Sequence, residues 1–165
     1  MGPQEMLTQT IVQMLISEPF YAEIVLRMQK SFSKQIPTAG VRIKDNVELI
    51  INPDYFASLA PDKRLGVLIH ECKHLLHDHI SRAKDLAPEV YSGGTEDAAD
   101  SIINSLKHRV VNMAADLAIN NGIKQFDSTK DPYLFPRNFN LPEGESLEWY
   151  FDKLKNDKSN ASARS

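Results

Sequence analysis

Apolar side chains recur at helical spacing over the first 30 residues. The positions that share this register are Leu7, Ile11, Met14, Leu15, Ile24, Val25 and Met28. Their spacing of three and four residues predicts a helix over residues 5–30. Pro19 lies inside this range, and a proline removes a backbone hydrogen bond and clashes with the preceding turn. We therefore expect the helix to kink or split near Ser17–Glu18.

Two short segments that follow have the pattern of a β-hairpin. They comprise residues 40–44 and 47–52, and the second is rich in β-branched residues. Asp45-Asn46 between them suits a tight turn, so the two segments are predicted to pair. Asn52-Pro53-Asp54 then ends the second strand, and residues 55–59 are expected to form a short helical turn.

Two long helices are predicted in the remainder of the chain. Pro61 and Asp62 favour a helix start, because proline fits the first turn and an acid stabilises the positive end of the dipole. Gly122 favours a helix end. The predicted segments are a helix from Ala60 to about Leu86, a loop at 90–95, a helix from Glu96 to Asn121 capped by Ser92 or Thr95, an irregular segment at 127–142 and a short helix at 147–154.

The composition excludes several classes of protein. Of 165 residues, 42% are hydrophobic and 25% are charged, as in an ordinary globular domain. No apolar run approaches the roughly 20 residues that cross a bilayer, and Met1–Glu5 lacks the features of a secretory signal. A net charge of −3 is atypical of nucleic-acid binders, and one cysteine excludes an internal disulfide. We expect a cytoplasmic domain over residues 1–155, without nucleic-acid or membrane partners, followed by a flexible polar tail at 156–165.

The candidate chemistry lies in an H-E-x-x-H motif within the first long helix, at residues 70–74. Helix positions i and i+4 lie about 6 Å apart along one face, so two imidazoles can hold one metal ion. The spacing predicts a zinc site with His70 and His74 as ligands. Glu71 is turned about 100° from His70 and is predicted to be the general base toward a water whose pKa zinc lowers to about 7.

Two different faces of this helix support the motif. One side is apolar and comprises Leu65, Leu68, Ile69, Cys72, Leu75 and Leu76. The other side carries Gly66 and three histidines, and a solvated polar face is the alternative interpretation of it. His77 lies about 10 Å along the axis from His70, too far to share a metal at Zn–N distances of about 2 Å. His79 points to the opposite side, so neither histidine is predicted as a ligand.

The second long helix offers a third ligand. Its apolar stripe is predicted to comprise Ile102, Ile103, Leu106, Val110, Met113 and Leu117. Asp116 lies on the shoulder of this stripe, where an acid is costly to bury unless it has a partner such as a metal ion. Asn112 and Asn120, one turn away on either side, can hold its carboxylate. The alternative is an exposed aspartate at the polar edge of the helix.

Four blocks of the sequence, in the same order, resemble a known family. They are Val47–Phe56, His70–Arg82, Asn112–Asn120 and Pro142–Tyr150. These blocks are similar to the metallopeptidase domain found in front of von Willebrand factor A-like modules, over most of residues 5–155. The resemblance implies an α+β fold of the minimal zincin type, with a small antiparallel sheet, an H-E-x-x-H helix and a second long helix. It also implies that Asp116 fills the position of the third zinc ligand.

The resemblance further implies partners. An edge strand before the active-site helix can bind an extended peptide, so strand 47–52 is expected either to pair with substrate by β-addition or to be a plain structural strand. Domains of this family usually precede a von Willebrand factor A-like half, whereas the given sequence stops at Ser165. The sequence is therefore expected to be either a stand-alone short member of the family or part of a longer chain, with a von Willebrand factor A-like partner or C-terminal half.

Two functions follow from this sequence. The first is a zinc-dependent peptidase that uses Glu71 as general base. The second is a catalytically silent, zinc-stabilised module for protein binding or assembly, which has no need of Glu71. The candidates for stabilising the oxyanion are His108, Tyr91, Tyr133 and Arg137, and the sequence does not choose among them.

Overall fold

The chain folds as an α+β protein, as predicted. The computed structural model describes residues 1–91 and 98–156, and it combines helices with a three-stranded sheet. Contacts divide the chain into two compact units, one of Met1–His77 with Ile123–Phe126 and one of Asp78–Gly122 with Asp127–Ser165. A single domain over residues 1–155 stays a prediction.

Some sequence predictions fall outside the described residues. These are the capping roles of Ser92 and Thr95, the helix start at Glu96 and the tail at 157–165. Within the described ranges, every helix is too short or too polar to span a bilayer.

The first unit begins with the helices that the sequence predicts around Pro19. Its elements are α1 (Pro3–Ser17), α2 (Pro19–Arg27), β1 (Gln29–Phe32), β2 (Ala39–Ile43), β3 (Val47–Ile51), α3 (Pro53–Ser58) and α4 (Pro61–Leu76). The predicted split is confirmed, since Glu18 leaves the helical conformation with φ −139° and ψ 62°. The predicted extent to residue 30 is wrong. The Lys30 ammonium donates to the carbonyls of Val25 and Met28 at the end of α2, and the chain continues as a strand.

The sheet has the strand order β1-β3-β2. The predicted hairpin is confirmed as the antiparallel pair β2–β3, whereas β1 pairs with β3 in parallel. The sheet is therefore mixed rather than antiparallel. The expectation that strand 47–52 is an edge strand is wrong, because β3 is hydrogen-bonded on both sides. Its buried side chains Leu49 and Ile51 are typical of a central strand.

Asn52 organises the connection from β3 into the helices. Its Oδ1 accepts hydrogen bonds from the backbone N–H groups of Asp54 and Tyr55, which caps α3. The Arg64 Nε donates to the carbonyl of Phe56 at 2.9 Å and thereby ties α4 to α3. The short helix α3, predicted at residues 55–59, therefore fixes the start of the helix that carries the motif.

The second unit contains the remaining helices, α5 (His79–Leu86), α6 (Pro88–Tyr91), α7 (Ala98–Ile119) and α8 (Leu147–Asn156). A continuous helix from Ala60 to Leu86 is wrong. Helix α4 ends at Leu76, and Asp78 adopts a left-handed conformation with φ 53° and ψ 38° before α5 begins. A left-handed residue cannot continue a right-handed helix, so α4 and α5 are separate helices.

The predicted apolar stripe of α7 is also wrong at Ile103 and Leu106, which are about half exposed. The side chain of Ile102, another predicted member, lies outside the described residues. The core of this unit comprises Ala83, Ala87, Val111, Ala114, Ala115, Leu117, Leu147, Tyr150 and Phe151. Small residues of α7 thus allow close packing against α8. Tyr150 is fully buried, and its hydroxyl donates to the carbonyl of Pro142 at 2.6 Å.

A bidentate ion pair joins α5 to α8. The Arg82 Nε donates to Glu148 Oε1 at 2.7 Å, and Nη2 donates to Oε2. These charge-assisted hydrogen bonds lower the pKa of Glu148 to about 2. Both side chains are partly exposed, at 32% and 42%, which limits the contribution of the pair to stability.

We expect Glu148→Gln to lower the free energy of unfolding at pH 7 by about 0.5–1 kcal/mol. The pKa of Glu148 is lower in the folded chain (about 2) than its ordinary value of 4.5, so its contribution is present above pH 4.5. It is lost as pH falls from 4.5 towards 2. Urea unfolding of both proteins between pH 7 and pH 2 measures this. A difference that stays constant down to pH 2 would contradict the assignment.

Candidate metal centre

The rotation of α4 about its axis is fixed by burial of one side. Leu65, Leu68 and Cys72 are at most 5% exposed and pack in the core of the first unit. Helical periodicity then places His70 and His74 away from this buried side, where both are half-buried. The apolar side predicted from the sequence is confirmed, except that Leu76 at the end of the helix is about half exposed.

The two histidines of the motif present the same ring nitrogen to each other. Their Nε2 atoms lie 2.9 Å apart, and the rings meet edge to face with centroids 4.5 Å apart. Two nitrogens that bind one tetrahedral zinc at about 2.05 Å lie about 3.3 Å apart. The observed separation is close to this distance, so the pair is suited to share a metal ion.

Glu71 lies beside this pair and is buried. Its side chain is 7% exposed, and its Oε1 is 4.0 Å from His70 Nε2. A buried carboxylate is costly unless it interacts with neighbouring polar or charged groups. Glu71 is thus near the Nε2 atom of His70, and its role as general base stays a prediction.

The predicted third ligand, Asp116, lies on α7 in the second unit and is half-buried. Two imidazole nitrogens 2.9 Å apart are ligand atoms that zinc accepts, so the histidine pair fits a metal ion chemically. The assignment of His70, His74 and Asp116 as zinc ligands stays a prediction.

The asparagines that flank Asp116 on α7 differ in their surroundings. Asn112 is exposed, whereas Asn120 is 1% exposed and its Nδ2 donates to the carbonyl of Leu134 at 2.7 Å. Asn120 therefore ties the end of α7 to the segment that follows. A role for either amide in holding the Asp116 carboxylate stays a prediction.

The other candidate residues have ordinary structural environments. His77 is exposed after the last turn of α4, and His79 is buried at the start of α5. Tyr91 and His108 pack edge to face with centroids 5.5 Å apart, and Arg137 donates to the hydroxyl of Ser128. Tyr133 is half-buried. These surroundings favour none of the four oxyanion candidates over the others.

The sequence analysis missed a contact on the histidine face of α4. The segment Ile123–Phe126 packs there, with Phe126 against Gly66 and its ring centroid 6.3 Å from that of His70. A glycine inside a helix is the one signal in the sequence for such a close approach. The partner could not be identified, because residues 123–126 have no periodic pattern.

The chain was compared with known proteins. The model of a family described as "Putative metallopeptidase domain" matches residues 3–162, nearly the whole chain. Neither the curated proteins nor the solved structures yielded a match. The family match agrees with the resemblance inferred from the four sequence blocks.

Cys72 lies on the buried side of α4, as expected of a small apolar residue. It is fully buried, and loss of solvation raises the pKa of its thiol to about 12. The thiolate that reacts with electrophiles is therefore nearly absent at neutral pH.

We expect Cys72 to resist a disulfide reagent such as DTNB at pH 8 in the folded protein. In urea, the chain should release one equivalent of the chromophore, because it has a single cysteine. The rate of colour development with and without denaturant measures this. Rapid labelling of the folded chain would show that the buried side of α4 opens readily.

Proposed function

Since the chain belongs to this family of metallopeptidase domains, we propose that it is a zinc-dependent peptidase that hydrolyses peptide bonds in a peptide or protein substrate. The observation that carries the proposal is the geometry on α4. Two Nε2 atoms lie 2.9 Å apart on one helix face, and a buried carboxylate lies 4.0 Å from one of them.

His70, His74 and Asp116 would hold the ion, as the resemblance of the four sequence blocks to the family implies. A bound zinc ion would supply Lewis acidity, which polarises the scissile carbonyl and acidifies a water molecule. Asp116 would also contribute a negative charge that partly neutralises the ion, whereas the neutral imidazoles contribute none.

Glu71 supplies the proton transfer in this proposal. Its carboxylate accepts a proton from the attacking water as the new C–O bond forms. It then returns that proton to the amine nitrogen as the C–N bond breaks. Burial suits this role, because a carboxylate with little bulk water around it exchanges its proton with the reacting groups rather than with solvent.

A zinc-stabilised binding module is the alternative. Such a module would need the metal ligands but not Glu71. Burying a further carboxylate next to the histidines costs desolvation free energy that metal binding alone does not require. The position of Glu71 therefore favours the enzyme, and its substitution distinguishes the two functions.

We expect the purified protein to bind about one zinc ion and His74→Ala to abolish binding. Asp116→Ala should weaken it. Elemental analysis and competition with a chromophoric chelator measure both. The matched control is His77→Ala, an exposed histidine three residues beyond His74. Asn112→Ala should weaken binding less than Asp116→Ala, because an amide that holds the carboxylate is not itself a ligand. A wild-type protein that holds no zinc after supplementation would contradict the proposal.

We expect Glu71→Gln to retain zinc and the fold but to lose hydrolysis, because glutamine cannot accept the proton of water. Cleavage of a mixed peptide library, read by mass spectrometry, measures activity, and zinc content with the melting temperature controls for the site and the fold. Equal cleavage by both proteins would exclude Glu71 as the base. Zinc binding without cleavage by the wild type would favour the binding module.

A further inference from the structure

We propose that Phe126 is a positioning residue, which holds the His70 imidazole in the orientation that presents Nε2 to the metal. This inference rests on the proposed function, since it concerns the same metal site. It arises from three contacts between Ile123–Phe126 and α4, all within the first unit.

The first contact requires the absence of a side chain at residue 66. A Cβ built on Gly66 would lie 2.6 Å from Phe126 Cε1, a distance that real Cβ atoms essentially never show, and 3.0 Å from Cδ1, which is tighter than most Cβ contacts. The same Cβ would lie 3.1 Å from the Cβ of Gln125. Glycine costs a helix interior about 1 kcal/mol relative to alanine, so the helix accepts a penalty at this point. The Phe126 ring occupies the space that this glycine leaves.

The second contact secures the backbone of the segment. The Lys63 ammonium donates to the carbonyl of Gln125 at 2.7 Å. Lys63, Gly66 and His70 follow one another at i, i+3 and i+7, so they lie along one face of α4. The segment therefore lies along the face that carries the metal-binding histidines.

The third contact is with His70 itself. Phe126 is 9% exposed, and its ring centroid lies 6.3 Å from that of His70 with the two planes inclined by 48°. This distance, and the 4.5 Å between the ring centroids of His70 and His74, lie within the range of centroid distances found in aromatic pairs. The His70 ring thus has aromatic neighbours that restrict rotation about its Cβ–Cγ bond.

Restricted rotation matters because a metal binds imidazole along the lone pair of one nitrogen, in the plane of the ring. A ring that is free to turn must be ordered on binding, and this ordering lowers affinity. Residues that orient metal ligands typically change metal affinity by about 10–100-fold when they are replaced. Phe126 would orient His70 by packing, without a hydrogen bond.

The test compares Phe126→Leu with the wild type in the full chain. We expect zinc affinity, measured by chelator competition, to fall about 10–100-fold. In the metal-free protein, the imidazole NMR signals of His70 should show increased ring motion. Phe126→Tyr keeps the ring and should bind zinc as the wild type does. Phe56→Leu is the matched control, because Phe56 is a fully buried phenylalanine of the same unit whose ring lies under Arg64.

The outcomes separate this inference from the proposed function. Zinc binding by Phe126→Leu within twofold of the wild type would overturn the inference and leave the proposed function intact. An equal loss of affinity in Phe56→Leu would also overturn it, because the effect would then reflect general destabilisation.

If the wild type binds no zinc, the proposed function fails, and the His70 signals of the metal-free variants still decide whether Phe126 holds the ring. Should Phe126→Leu not fold, Gly66→Ala provides the second variant. Its added Cβ displaces the Phe126 ring, and it should lower zinc affinity while Phe126 is retained. Unchanged zinc affinity in a folded Gly66→Ala protein would contradict the inference.

Discussion

The candidate site depends on how burial fixes the rotation of one helix. Each residue of an α-helix is turned about 100° from the previous one, so the direction of His70 is set once Leu68 and Cys72 are in the core. The same rotation brings His74 next to His70 and puts Glu71 between the core and the histidine face. A shift of the buried side by one residue would direct both imidazoles elsewhere.

In the proposed peptidase, the face that carries the histidines would meet two opposing demands. A hydrolytic metal site needs room for a water molecule and a peptide, whereas ligand side chains need neighbours that keep them in place. In α4 the N-terminal part of this face is covered, because Phe126 packs on Gly66 and beside His70. Towards the end of the helix His74 is half-buried and His77 is exposed. In the proposed peptidase, the packing that supports His70 and the exposed part of the face that could admit a substrate would thus lie at different turns of α4.

Local patterns predicted the features whose causes are local. The split at Pro19, the β2–β3 hairpin and the apolar side of α4 follow from one residue or from neighbouring residues, and the structure has all three. Strand β1 could not be predicted, because its residues Gln29–Phe32 lack an alternating apolar pattern and pair with β3 about 20 positions later. For the same reason the central position of β3 could not be predicted, because it depends on the pairing of β1 with β3.

Periodicity also indicates which side of a helix is apolar but not how far along the helix this side is covered. Ile103 and Leu106 match the stripe of α7 and are nevertheless about half exposed. The end of α4 was missed because Asp78 adopts a left-handed conformation without glycine or proline nearby. For the site, the motif identified His70, Glu71 and His74, whereas no local pattern could relate Phe126 to them.

The first unit is discontinuous along the chain, and this has a consequence for how the protein is made. The hydrogen bond from Lys63 to Gln125 closes a loop of 62 residues. During synthesis, therefore, α4 leaves the ribosome well before the segment that covers part of its histidine face. Closing so long a loop lowers the entropy of the chain, and only the contacts of the completed unit offset this loss. We therefore expect this segment to join the unit late in folding. For the same reason, a fragment that ends before residue 123 would contain the whole H-E-x-x-H motif but an incomplete unit.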